Sequence, residues 1–191
     1  MSPSRLEAFT DGVVAIVITI MVLDLRVPQG TDRAALLPAV PVFVAYVFSF
    51  INVGIFWSNH HHMLHATEHV DGRVLWANLA LLFWISLIPF VIRWMDETHF
   101  AALPMAAYGV VLGMAAVSYT LLEKAIILVN GPKSRLAQAV GRDWKGKASI
   151  ALYLVAVPIT YLSRWAALAI YVGISLAWLV PDRRIESRLK H

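Results

Sequence analysis

Long apolar stretches alternate with short charged segments along this chain. A helix that crosses a membrane needs about 20 mostly apolar residues. Apolar stretches near that length predict six membrane-spanning helices, at about residues 5–25, 36–62, 74–94, 101–128, 148–163 and 165–180. The last two are short and adjoin at Arg164, which predicts a hairpin with a tight extracytoplasmic turn. We therefore expect an all-α fold, an integral membrane bundle of six helices that forms one domain over residues 1–191.

The first predicted helix differs from the others because its uncharged run, Gly12–Leu23, is bounded by Asp11 and Asp24. This run is too short to cross the hydrocarbon alone, so the helix must continue through its acidic ends. A carboxylate inside a membrane is costly unless it faces protein or a water-filled cavity. The pattern therefore predicts that helix 1 lies at the centre of an assembly.

Composition supports a membrane protein and excludes several other classes. Hydrophobic residues make up 59% of the chain and charged residues 15%, against about 45–50% and about 25% in ordinary globular proteins. A disordered chain would need low hydrophobicity and high net charge. The chain has no cysteine, which excludes disulfides and thiolate metal sites. It also contains no HExxH, P-loop or GxGxxG motif and no TVGYG-type carbonyl filter, so an enzyme is not expected.

The distribution of basic residues predicts the orientation of the chain. Twelve of the 16 Lys and Arg residues fall on the side of the two termini. Four fall on the other side: Arg26, Arg33, Arg93 and Arg164. Because basic residues collect in cytoplasmic segments, we expect a multi-pass protein of the cell (plasma) membrane with both termini in the cytoplasm. The net charge of +4 is then explained by basic residues beside the lipid bilayer, and no nucleic-acid partner is expected.

Polar residues near the cytoplasmic ends of helices 1–3 are candidates for specific contacts. Thr10 and Asp11 open helix 1, His60 follows the apolar run of helix 2, and Asn78 lies within helix 3. A buried amide in a membrane helix usually bonds to another helix, so these residues are expected to hold helix 1 in place. Alternatively, Thr10 and Asp11 only cap and anchor the helix N-terminus.

A run of histidines ends helix 2. His61, His65 and His69 recur at helical spacing, so one face presents three groups suited to a metal or to a proton relay. The run lies at the headgroup boundary, however, and the sequence does not force an acidic or Cys ligand into its neighbourhood. Interfacial solvation is the favoured interpretation, and neither a metal site nor a cofactor is expected.

The segment Arg5-x-x-x-Phe9-Thr10-Asp11 resembles the Arg-x-x-x-Phe-Ser-Asp signature of the bacterial relatives of the lysosomal and endosomal potassium channel, with threonine in place of serine. Three further segments resemble the second and third helices of that family: Trp57-Ser58-Asn59-His60, Arg73-Val74-Leu75-Trp76-Ala77-Asn78-Leu79 and Leu87-Ile88-Pro89-Phe90. The resemblance covers about the first half of the chain.

This resemblance implies a homotetramer of six-helix subunits, with helix 1 of each subunit lining a central pore for potassium and other monovalent cations. It implies that Ile16 is the hydrophobic constriction and that Thr19 belongs to a hydroxyl layer linked to selectivity. Potassium is then a transported ion, and no cofactor is implied. A helix-packing network is expected from Arg5, Phe9, Thr10, Asp11, His60 and Asn78.

Helical spacing alone places four residues on one stripe of helix 1: Ile16, Thr19, Ile20 and Leu23. Such a stripe fits either a pore lining that gates by dewetting or ordinary helix packing. Two other function classes stay open from the residues themselves. One is a histidine-dependent proton or metal transporter, and the other is a membrane scaffold without transport.

Overall fold

The computed structural model describes residues 2–25, 27–141 and 143–179. Its elements follow in this order: α1 (Pro3–Leu23), a 3₁₀ segment (Arg33–Ala39), α2 (Val40–His65), α3 (Gly72–Ser86), α4 (Ile88–Glu97), α5 (Ala102–Asn130), α6 (Arg135–Val140), α7 (Trp144–Leu162) and α8 (Arg164–Leu179). The predicted all-α class is confirmed. Some residues used above lie outside the described ranges: Val180 at the end of the sixth predicted helix, and the basic residues Arg26, Arg142, Arg183, Arg184, Arg188 and Lys190.

Membrane-spanning length and apolar character are combined in four helical segments of the described chain: Pro3–Leu23, Arg33–His65, Gly72–Glu97 and Ala102–Asn130. The segment Arg164–Leu179 is a shorter apolar helix. The chain is therefore a multi-pass membrane protein.

Proline divides two helices that were predicted to be continuous. The predicted helix 36–62 begins as the 3₁₀ segment, which contains Pro38 and is capped by Asp32, and the α-helix then runs from Val40 to His65. The predicted helix 74–94 is broken at Leu87 because Pro89 has no N–H to continue the backbone ladder. The polypeptide therefore crosses this region as two short helices, α3 and α4.

Several other helix boundaries differ from the predicted ones. Asp143 caps α7 by accepting the N–H of Gly146 at 3.0 Å, so this helix begins at Trp144 and not at residue 148. The short α6 lies in a stretch that the sequence assigned to a loop. Helix α1 is shifted two residues toward the N-terminus because Pro3 suits a first turn. The other predicted ends lie within three residues of the observed ones.

Helix α5 is the centre of the bundle and packs mainly against α3 and α7, while α7 and α8 form a hairpin around Ser163. The approach of α5 to α8 is close, since a Cβ on Gly109 would lie 2.6 Å from a ring carbon of Tyr171. Buried polar pairs join α2 to this core. The Ser49 hydroxyl lies 2.9 Å from the Tyr108 hydroxyl, and Ser175 donates to Asn52 at 2.8 Å. The scaffold carries α1 on its edge, against α2 and α3.

Candidate functional site

Helix α1 has one buried and one exposed face. The buried face recurs at helical spacing: Leu6, Thr10, Val14, Val17 and Met21. On the opposite face the structure places the four residues of the predicted pore, here called the pore stripe: Ile16, Thr19, Ile20 and Leu23. The exposed fractions of the three apolar members are large: 59% for Ile16, 46% for Ile20 and 79% for Leu23. Among the residues that the structure describes, this apolar surface is largely uncovered by protein.

Thr19 is the polar member of the pore stripe. Its hydroxyl donates to the Ile16 carbonyl at 2.9 Å, one turn earlier in the same helix. The hydroxyl proton is thereby used within α1, while the oxygen lone pairs stay directed away from the backbone. An exposed oxygen of this kind can replace part of the hydration shell of a cation.

An open groove runs beside the pore stripe, between α1 and α4. Its walls are formed by Ile16 and Ile20 on one side and by Phe90 and Arg93 on the other, with Asp24 at one end. Partial burial raises the pKa of Asp24 above its ordinary value, although the Arg93 guanidinium opposes this rise. The groove extends the uncovered surface of the stripe onto α4.

Thr10, His60 and Asn78 meet at the buried side of α1. The Asn78 side-chain N–H donates to the Thr10 hydroxyl at 3.0 Å, and His60 Nε2 lies 2.8 Å from Asn78 Oδ1. Because Oδ1 can only accept, Nε2 of His60 is the donor in this contact. All three residues are buried. The arrangement joins α1, α2 and α3 through one amide.

The remaining motif residues divide into a bonded and an exposed group. Asp11 accepts the indole N–H of Trp57 on α2 at 2.8 Å. Arg5 and Phe9 are exposed on α1, Phe9 by 52%, and neither side chain bonds to the network within the described chain. Trp57 was not predicted as a site residue. Its position one turn before His60 and His61, on the same face of α2, could have indicated that it belongs to the site.

Glu7 joins the histidines of α2 in a second cluster. Its Oε1 lies 2.7 Å from His61 Nδ1 and 4.0 Å from His65 Nε2. His69 does not belong to this face, because α2 ends at His65 and His69 lies in the following loop. The expectation of three histidines on one helix is therefore wrong, and the acidic group that the sequence did not place there comes from α1.

Comparison with known proteins gives consistent matches. Residues 5–89 match the model of the family described as endosomal/lysosomal potassium channel TMEM175. A protein of Chryseobacterium sp. (strain P1-3), named as a potassium channel, is 48% identical over 190 residues, which cover all of this chain and 99% of that protein. Human TMEM175, named as an endosomal/lysosomal proton channel, is 38% identical over 96 residues, 44% of this chain and 19% of its own.

A solved structure is similar over nearly the whole chain. It is described as a lysosomal potassium-selective channel TMEM175 homolog from Chamaesiphon minutus. The TM-score is 0.79 at 24% identity, and the match covers 93% of this chain and 96% of that one. At this identity the match establishes a shared fold.

Proposed function

This chain belongs to the endosomal/lysosomal potassium channel TMEM175 family, and from that membership we propose that it is a passive channel for potassium and other monovalent cations. The family is one of channels and not of enzymes. The observation that carries the proposal is the exposed pore stripe on a helix whose opposite face is packed. In this proposal the stripe faces water and ions, while the scaffold faces lipid.

A homotetramer accounts for the exposed surface of α1. Four copies of the helix around an axis direct their stripes to a shared pore and away from lipid, and the groove beside α4 extends the surface available for a neighbouring chain. Asp11 and Asp24, which bound the uncharged run of α1, support a central position, since carboxylates avoid lipid. We propose that the pore has no carbonyl filter, and the continuity of α1 from Pro3 to Leu23 supports this because a continuous helix uses most of its carbonyls internally. The closed barrier is then the apolar ring of Ile16.

We also propose the topology of the single membrane domain. Six spans are formed by α1, α2, the α3–α4 pair, α5, α7 and α8. Both termini lie in the cytoplasm and the channel lies in the cell membrane, because the termini and the loops on their side carry most of the Lys and Arg residues.

The tetramer is expected to persist in mild detergent. Light scattering coupled to size exclusion, with the detergent contribution removed, should give four times the 21.2 kDa mass of the chain. A monodisperse monomer would contradict the assembly, because the pore stripe would then need no partner chain.

Ion conduction is tested in planar bilayers with potassium on one side and sodium on the other. A reversal potential set by the monovalent gradient is expected, and Thr19→Ala should move the potassium-to-sodium permeability ratio toward unity while leaving a current. Thr120→Ala is the matched control, since the Thr120 hydroxyl bonds only to a carbonyl of its own helix. Bilayers without current would favour a scaffold, and flux that requires a coupled proton would favour a transporter.

A further inference from the structure

Three side chains with metal-binding atoms converge where the first turns of α1 meet the end of α2. Glu7, His61 and His65 each offer one such atom, and these atoms lie within 4.8 Å of one another. We propose that they form a binding site for a transition-metal dication of the zinc class, which links α1 to α2. The site is separate from the pore stripe and from the Thr10–Asn78–His60 network.

The spacing of the donor atoms fits such an ion. Zinc–nitrogen and zinc–oxygen bonds of about 2.0–2.1 Å in a tetrahedral site place neighbouring donors about 3.3 Å apart. The distances from Glu7 Oε1, 2.7 Å to His61 and 4.0 Å to His65, lie on either side of that value. Small side-chain rotations therefore suffice to bring the donors to bonding distance, and no helix has to move.

The chemistry of the donors selects the class of metal. Two imidazoles and one carboxylate suit zinc and similar ions, whereas magnesium and calcium prefer sites built from oxygen alone. His61 and His65 are four residues apart, so one face of α2 presents both rings. Their side chains are exposed by 38% and 60%, and that of Glu7 by 23%, which leaves a path for the ion and room for a water ligand.

The position of His61 is fixed by groups that do not take part in binding. The Trp57 ring stacks on it with centroids 6.0 Å apart, and the Trp57 indole is itself held by Asp11. Such outer contacts orient metal ligands and maintain affinity. The alternative is a simple hydrogen bond between Glu7 and His61, in which His65 has no part.

His65 therefore distinguishes the two interpretations. The full chain, with any affinity tag removed and with chelator dialysed away, is titrated with zinc chloride by calorimetry. One zinc ion per chain is expected, and His65→Ala and Glu7→Gln should each weaken binding at least about tenfold. His69→Ala is the matched control because it removes an exposed histidine from the neighbouring loop.

Cobalt provides a second readout. Tetrahedral cobalt absorbs strongly in the visible range, and this absorption should appear with the wild-type chain and His69→Ala but be lost with His65→Ala. Equal zinc affinity in His65→Ala and wild type would overturn the proposal. If Glu7→Gln fails to assemble, His65→Ala remains decisive because that side chain is largely exposed. Binding is measured without ion flux, so failure here leaves the channel proposal untouched.

Discussion

Replacing Ile16 with asparagine is expected to raise the potassium current by about tenfold or more, the increase that follows from wetting a hydrophobic constriction. Four isoleucine side chains around an axis offer an ion no ligands in exchange for its water. Asparagine is of similar size but supplies an oxygen and an N–H group that hold water in the ring. The measurement is macroscopic current per reconstituted tetramer in symmetrical potassium.

Val22→Asn is the control for this change. Val22 is 45% exposed on the same helix but lies off the pore stripe, so the substitution should leave current near the wild-type level. An unchanged current in Ile16→Asn would mean that another face of α1 lines the pore. Val17 is buried, which restricts the alternative to the side that carries Ala15 and Val22, where Val22→Asn would then raise the current.

Asn78→Leu should abolish or severely reduce the assembled channel. Leucine removes the acceptor of His60 Nε2 and the donor to Thr10. A buried polar group left without a partner costs about 1–3 kcal/mol, and the Thr10 hydroxyl loses its link to α3 as well. We expect a lower melting temperature and a smaller tetramer fraction, measured by fluorescence-detected size exclusion after heating.

The matched control is Asn59→Leu on α2, which makes the same chemical change but loses a bond only to Ile55 of its own helix. It should melt close to wild type. Asp11→Ala, which frees the Trp57 indole, should also lower assembly before it changes ion preference. If Asn78→Leu formed tetramers as stable as wild type, the amide would have no structural role and the network would have to be reassigned.

The apolar pattern was sufficient to predict the helical class and the approximate positions of the spans. It failed where backbone chemistry outweighs hydrophobicity. Pro89 breaks the mostly apolar predicted helix 74–94, and Asp143 starts α7 four residues before the predicted helix 148–163. Hydropathy sums over side chains and does not register a missing N–H or a cap.

Some contacts of the candidate site could be predicted from the sequence, and others could not. Thr10, His60 and Asn78 are rare polar groups near the same ends of three helices, and the structure brings them together. The pairing of Glu7 with His61 was not predictable, because 54 positions separate them and only the packing of α1 on α2 defines the contact. Trp57 was not predicted because a tryptophan in a membrane helix is also common on the surface that faces lipid.

The bond between Thr10 and Asn78 fixes the rotational phase of α1 against its scaffold. In the proposed tetramer, the offset of six residues from Thr10 to Ile16 then determines which side chains face the axis. Inserting a single residue between them would turn everything beyond it by about 100°, carrying Ala15 to the place of Ile16. In the proposed channel, a substitution in this stretch would therefore change the gate without turning α1, whereas an insertion or deletion would replace the residue at the gate.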